Sequence, residues 1–143
     1  SESLIESTID LYGFIAEEKK IKLVSKQKEN FNVSGDRTRL LQVVANLVDN
    51  AIKYSPEGTT VTIESDVSNN VGIISVIDEG SGIPESERIR IWERLYRMDA
   101  SRSSAGLGLG LSLVKAIVQA HGGSVDVTAN GSTGSSFSVK FPV

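Results

Sequence analysis

The sequence predicts an α+β domain: a two-layer sandwich in which a mixed, mostly antiparallel sheet of about five strands carries about three helices on one face. Three observations lead there. Arg37 to Tyr54 and Leu109 to His121 repeat apolar residues at three- and four-residue spacing. Thr60 to Val67 and Gly72 to Ile77 alternate and are rich in β-branched residues. Ser124 to Thr128 and Phe137 to Phe141 read as a closing pair of strands.

Taken in order, residues 1 to 18 carry Leu4, Ile5, Ile9, Leu11, Tyr12 and Ile15, a loosely helical pattern. Ile21 to Val24 reads as a short strand and Phe31 to Val33 as another, followed by a turn at Ser34-Gly35. Asp36 then stands where a helix N-cap belongs. The helix it starts places Leu40, Val44, Leu47, Val48 and Ala51 inward, and Ser55-Pro56-Glu57-Gly58 stops it. Ser68-Asn69-Asn70 turns the first hairpin, and Gly80, Gly82 and Pro84 end its second strand. Glu85 to Tyr96 is short, charged and helical in pattern, and Ala100 to Gly106 is small and polar, a stretch expected to be mobile. The helix from Leu109 stops at Gly122-Gly123, and Asn130-Gly131 turns the last hairpin. No internal repeat or linker-like tract interrupts the order.

Composition narrows the function. The 143 residues suit one domain; 39% are hydrophobic and 23% charged, as in an ordinary globular protein. The net charge is −3 and the longest basic cluster is Lys19-Lys20, which argues against nucleic acid held through its phosphates. With no cysteine and one histidine, disulfide scaffolds, thiolate nucleophiles and multi-histidine metal sites are excluded. No apolar run nears the roughly 18 residues of a membrane span, and Ser1-Glu2-Ser3 does not open a signal peptide.

Three constellations carry candidate chemistry. On the helix from Arg37, the residues Arg39, Gln42, Asn46, Asn50 and Lys53 share a stripe about 80° wide, away from the core positions. Asparagine carbonyls are hard oxygen donors suited to Mg²⁺, and lysine is a point charge suited to phosphate. Taken alone, this stripe reads better as a solvated helix face, although two asparagines in mid-helix are unexpected there. In the second, Asp78-Glu79-Gly80-Ser81-Gly82-Ile83-Pro84 ends a strand with an acid able to accept from an exocyclic amine such as adenine's, beside glycines that admit close approach. A plain glycine turn is the alternative, and an EF-hand loop is not, because acids at alternate positions are missing. In the third, Gly106, Gly108 and Gly110 lead into a helix whose N–H groups could bind phosphate. Leu111 stands where a Rossmann fingerprint needs glycine, and no Gly-Lys-Ser/Thr follows. His121, in the last turn of its helix, is read as a charge complement to the macrodipole rather than a catalytic group. Trp92 is read as packing.

Order and spacing join these pieces. The chain from about Ile21 to its end resembles the catalytic and ATP-binding domain of sensor histidine kinases, within the group that includes gyrase, the Hsp90 chaperone and MutL. NLVDNAIKY (Asn46 to Tyr54) is similar to the N box, DEGSGIP (Asp78 to Pro84) to the G1 box, IWERLYRMD (Ile91 to Asp99) to the F box, GLGLGLSLVKAIVQAHGG (Gly106 to Gly123) to the G2 box, and GSSF (Gly134 to Phe137) to the last glycine motif. The resemblance implies a Bergerat-type ATP-binding fold. It implies that Asn50 ligates Mg²⁺ between the phosphates with Asn46 close by, that Lys53 and Arg97 contact phosphate, and that Tyr54 packs near the nucleotide. Asp78 would accept from the adenine amine, with Gly80, Gly82 and Ile83 around the ring and Ser135 helping through water. Tyr96 and the lid residues Gly106, Leu107, Gly108, Leu109 and Gly110 would complete the ATP site, and Asn46, Lys53 and Arg97 would serve the transfer itself.

The same resemblance implies a kinase that passes the γ-phosphoryl to a histidine on a dimerisation domain, with a response regulator acting downstream, in the cytoplasm. Residues 1 to 18 would then be the tail of the dimerisation-helix region or a linker, and 19–143 the catalytic domain, without contact to membrane or nucleic acid. Trp92 and Leu95 depart from the usual F-box phenylalanines, which leaves the packing there in question. At Asn46, ATPase relatives carry a glutamate that activates water; asparagine is no general base, which opposes an ATPase. Asn50, Asp78 and the glycine loop oppose a decayed, binding-only module. A serine kinase relative, using the same boxes, stays open.

Overall fold

The computed structural model describes residues 2–80, 90–92, 110–129 and 134–143. In chain order its elements are α1 (Glu2–Glu18), β1 (Lys22–Gln27), α2 (Arg37–Tyr54), β2 (Thr60–Ser68), β3 (Val71–Asp78), a 3-10 turn (Arg90–Trp92), α3 (Gly110–Ala120), β4 (Ser124–Ala129) and β5 (Ser135–Pro142). The sheet runs β1-β2-β3-β5-β4. Among the described residues only β1 and β2 pair in parallel, and the other pairs are antiparallel. The expected mixed, mostly antiparallel five-stranded sheet with three helices is therefore the one found.

Local chemistry explains most boundaries. Asp36 caps α2: its carboxylate accepts from the N–H groups of Thr38 at 2.9 Å and Arg39 at 3.3 Å. Asn69 and Asn70 turn the β2–β3 hairpin with φ of 51° and 63°, the left-handed pair that suits the twist of the flanking strands. At the end of α3, Gly122 adopts φ 78°; its N–H donates to Gln119 O at 3.0 Å and that of Gly123 to Val118 O at 2.9 Å, a Schellman ending. Because β1 returns through α2 to a parallel neighbour, α2 is the crossover of a β-α-β unit and must lie against the sheet.

The core follows from the alternation. Val61, Ile63, Ile74, Val76, Phe137, Val139 and Phe141 point from β2, β3 and β5 to the helical side, where Val43, Val44, Leu47, Val48, Val114 and Val118 meet them. Each such buried side chain contributes roughly 1.5–3 kcal/mol. Trp92 is buried edge-on to Phe137, with ring centroids 5.9 Å apart at 79°; the indole that replaces an F-box phenylalanine is core packing, as its sequence reading has it.

Two expectations change. Phe31 to Val33 is not a strand but irregular chain. The Phe31 ring instead fills the space above Gly72, where a Cβ would come within 2.3 Å of it. Asn30 is pinned beside it by Ser65 Oγ at 3.1 Å and by Glu2 at 3.2 Å. The first strand extends to Gln27, beyond the apolar run, because Lys22 through Gln27 pair along β2. The helical pattern of the N-terminal segment forms as a regular helix, whose Leu4, Ile5 and Ala16 join the same core and whose Thr8 is buried. The segment 85–96 lies mostly outside the described residues, as does the turn at 130–133.

Candidate functional site

The last residue of β3 is the acid singled out in the sequence. Asp78 is 4% exposed and pairs in register with Ser135, the first residue of β5. Its Oδ1 accepts from Gly80 N–H at 2.9 Å and from Ser135 N–H at 3.2 Å. Burial raises the carboxyl pKa above the ordinary aspartate value, and the two backbone hydrogen bonds, first Gly80 and then Ser135, pull it back.

Two glycines make this close packing around Asp78 possible. A Cβ on Gly80 would sit 2.6 Å from the Tyr54 carbonyl oxygen, and one on Gly134, whose φ is 88°, would sit 2.3 Å from the Asp78 carbonyl oxygen. Gly80 therefore lies against the end of α2, while Gly134 lies against the end of β3. Glu79 extends the junction by accepting from Thr60 N–H at 3.1 Å, where β2 begins. Asp78, Gly80, Ser135 and the Tyr54 main chain are thus brought together at one end of the sheet.

The polar row of α2 reaches the same end. Asn46 and Asn50 are half-buried, while Lys53 and Tyr54 are exposed beyond them. The Lys53 ammonium is 2.9 Å from Asp49 one turn back, an exposed pair of a kind that contributes about 0.5 kcal/mol or less, so the lysine leaves it at little cost. Burial and then Asp49 push the Tyr12 hydroxyl above its usual pKa, while Lys53 pulls it down, so α1 flanks this pair.

Helix α3 is registered against α2 from the far end. His121 Nδ1 lies 2.8 Å from Ile117 O, and its Nε2 accepts from Asp36 N–H at 3.2 Å. Both bonds together require the tautomer with its proton on Nδ1. Besides ending its own helix, as read from the sequence, the ring thus clamps a second element by accepting from the Asp36 N–H at the start of α2. A Cβ on Gly35 would fall 2.1 Å from this ring, which is how the residue before Asp36 comes so close. The C-terminus of α3 thus meets the N-terminus of α2, and the packed helices run antiparallel. The 11 residues of α3 rise about 16 Å, which carries its start, Gly110, back alongside the middle of α2, around Asn46 to Asn50.

Among the predicted residues, Asn46, Asn50, Lys53, Tyr54, Asp78, Gly80, Gly110 and Ser135 are described. Gly82, Ile83, Tyr96, Arg97, Gly106, Leu107, Gly108 and Leu109 lie outside the described residues. Two residues at this end escape the sequence reading. Ser55, 3% exposed at the C-cap of α2, buries a hydroxyl that has no hydrogen-bond partner among the described residues; beside Pro56 it reads only as a helix stop. Lys19, in an ordinary basic pair, donates from Nζ to the carbonyls of Ile52 and Lys53, the latter at 2.8 Å. Among the described residues, no group of three or more histidine, cysteine, aspartate or glutamate side chains is placed to hold a metal.

Residues 35–143 match the protein family described as histidine kinase-, DNA gyrase B-, and HSP90-like ATPase. The sensor-like histidine kinase SenX3 of Mycolicibacterium smegmatis is 35% identical over 143 residues, which cover 99% of this chain and 37% of that protein. The fold matches the solved catalytic domain of histidine kinase ThkA with a TM-score of 0.87 at 27% identity, over 99% of this chain and 91% of that one. It also matches full-length ShkA solved in complex with AMPPNP, with a TM-score of 0.87 at 29% identity, over 99% of this chain and 29% of that one. ThkA solved in complex with the response regulator TrrA matches with a TM-score of 0.83 at 26% identity, over 99% of this chain and 40% of that one. The chain spans about a third of the length of the curated relatives it matches, 37%, 30% and 35% for three of them.

Proposed function

The chain belongs to the family of histidine kinase-, DNA gyrase B- and HSP90-like ATPases, as a catalytic ATP-binding domain of the sensor histidine kinase type, and from that premise we propose that it presents the γ-phosphoryl of Mg²⁺-bound ATP to a histidine on a dimerisation domain.

The observation that carries this reading is the buried Asp78 carboxylate between Gly80 and Gly134. One oxygen is fixed by two backbone N–H groups, so the carboxylate does not reorient when a ligand arrives. An exocyclic amine donating to it forms a charge-assisted bond in a poorly solvated place, where such bonds are strongest. Ser135 stands beside it through the strand register. The α2 row would then follow the nucleotide outward, with Lys53 at the phosphates.

The residues present fit Mg²⁺ in one way. Without a carboxylate cluster among the described residues, the Asn50 amide oxygen would be a single protein ligand, with phosphate oxygens and water completing the six, as is usual for this ion. When bound, the ion supplies neutralisation of the phosphate charge. What the chain itself does is bind, orient and hold charge. Asn46 cannot take a proton from water, so the site favours transfer over hydrolysis. In the transfer, an imidazole nitrogen of the partner attacks the γ-phosphorus. The bond to the bridging oxygen breaks, and ADP leaves with the electron pair.

The acceptor must come from elsewhere, since the chain's one histidine, His121, has both ring nitrogens engaged with main-chain groups. ThkA, solved with a response regulator, supports the same downstream partner for this chain. Cytoplasmic placement belongs to this reading; no helix among the described residues is long and apolar enough to cross a membrane.

Calorimetric titration tests the site: the parent should bind Mg·ATP, and Asp78→Asn should lose at least about tenfold in affinity. Unchanged affinity would sink the assignment. Mixing the domain with a histidine-bearing dimerisation domain and labelled ATP tests the reaction. Acid-labile, base-stable label on the partner is expected; acid-stable label on serine would overturn the histidine acceptor in favour of a serine kinase.

A further inference from the structure

Helix α2 ends without the usual device. Its C-cap, Ser55, is extended (φ −95°, ψ 138°) and Pro56 follows, so no left-handed residue turns back to satisfy the last carbonyls. Lysine near a helix end commonly serves them, but Lys53 is paired with Asp49. The ammonium that arrives comes from another element. Lys19 Nζ donates to Ile52 O and to Lys53 O.

The main chain around Lys19 is built to deliver it. Lys20 adopts φ 62°, its N–H donates to Glu17 O at 3.0 Å, and that of Ile21 to Ala16 O at 2.8 Å, so α1 closes in a Schellman turn with Lys19 at its C-cap. Lys20 O then accepts from Gly58 N–H at 2.8 Å, and Lys22 N–H donates to Thr59 O at 3.1 Å. The end of α1 and the stop of α2 are stitched together by main chain just after Lys19.

From there a continuous path runs to the carboxylate. Lys19 holds the carbonyls of residues 52 and 53; the next carbonyl, of Tyr54, lies against Gly80; and Gly80 N–H fixes Asp78 Oδ1. We propose that Lys19 is a positioning residue for nucleotide binding, holding the last turn of α2 so that Lys53, Tyr54 and the Gly80–Asp78 junction keep the geometry the ligand needs. This rests on the reading of Asp78 as the base-recognition group. Lys19 touches no ligand and acts only through the α2 main chain. Arginine, with its donors on a long side chain, should replace it, and methionine, of similar length without donors, should not.

The test compares the parent, Lys19→Met, Lys19→Arg and Asp78→Asn in calorimetric titrations with Mg·ATP, at a temperature well below every melting point, where global stability no longer affects affinity. Hydrogen exchange of the amides of residues 52–55 is followed without nucleotide. The expected result is a loss of about fivefold in affinity for Lys19→Met, faster exchange confined to those amides, and recovery of both by Lys19→Arg. Parent-like affinity for Lys19→Met, or exchange raised throughout the core with no recovery by arginine, overturns the proposal. If the parent binds and Asp78→Asn does not, such a failure falls on Lys19 alone. A parent that does not bind, or an Asp78→Asn that binds equally, overturns the site reading and this inference with it.

Discussion

Asp78 sits where its ionised form is poorly solvated, and the folded chain holds its proton more tightly than the unfolded chain does. An unfolded aspartate titrates near 3.9. The group's contribution to stability is therefore present in full below that value and is lost as the pH rises through the higher folded value. Asp78→Asn removes this loss while its amide oxygen can still accept from Gly80 and Ser135. At neutral pH the variant should melt no lower than the parent, and the parent should gain on it as the pH falls toward 4. Thermal melts over a pH series check this; a variant melting far below the parent at pH 7 contradicts it. Nucleotide affinity should run the other way, weakening as acid neutralises the carboxylate. Ser55 illustrates what residue identity conceals. A buried hydroxyl without a partner costs about 1–3 kcal/mol, yet nothing in Tyr54-Ser55-Pro56 marks it out, because burial is set by tertiary packing and not by the neighbours along the chain.

At the scale of elements, the helix ends separate what is local from what is not. The Asp36 cap of α2 and the Gly122 ending of α3 are both legible in consecutive residues, and both form. The ending of α1 is the same motif as that of α3 with the wrong residue for its backbone: Lys20 holds φ 62°, a conformation that costs a side-chain-bearing residue about 1 kcal/mol or more. Lys20→Gly should therefore stabilise the domain by roughly 0.5–1 kcal/mol, read as a rise in the urea midpoint with unchanged slope. A fall in midpoint would show that the lysine has contacts that outweigh its strain. The stop of α2 at Ser55-Pro56 is legible too, but the donor that serves its last carbonyls is not, because Lys19 lies at the end of α1, 33 or 34 residues earlier.

For the whole molecule, the question is where the domain begins. A sequence boundary at residue 19 leaves α1 outside, yet Leu4 and Ile5 are in the common core. Losing two such side chains alone costs about 4–10 kcal/mol, against a total of about 5–15 kcal/mol for a typical domain. Deleting residues 2–18 should abolish cooperative melting by circular dichroism; a fragment 19–143 that melts sharply within a few degrees of the parent would restore the shorter boundary. The helix was legible as a periodic pattern, but its membership was not. A segment with Leu11, Phe14 and Ile15 exposed carries no mark of which apolar residues will find a partner.

The sequence by itself determined the types of the helices and strands that form, the cap at Asp36, the hairpin at Asn69-Asn70 and the order of the motifs, because period, turn chemistry and side-chain type are properties of neighbours along the chain. The tertiary structure decided which distant groups meet. Asp78 is held by Ser135, 57 residues away, and Asp36 by His121, 85 away. Phe31 leaves the predicted strand to fill the gap over Gly72. These contacts depend on strand register and helix packing, which minimise exposed apolar surface over the whole chain at once, so no window of sequence contains them.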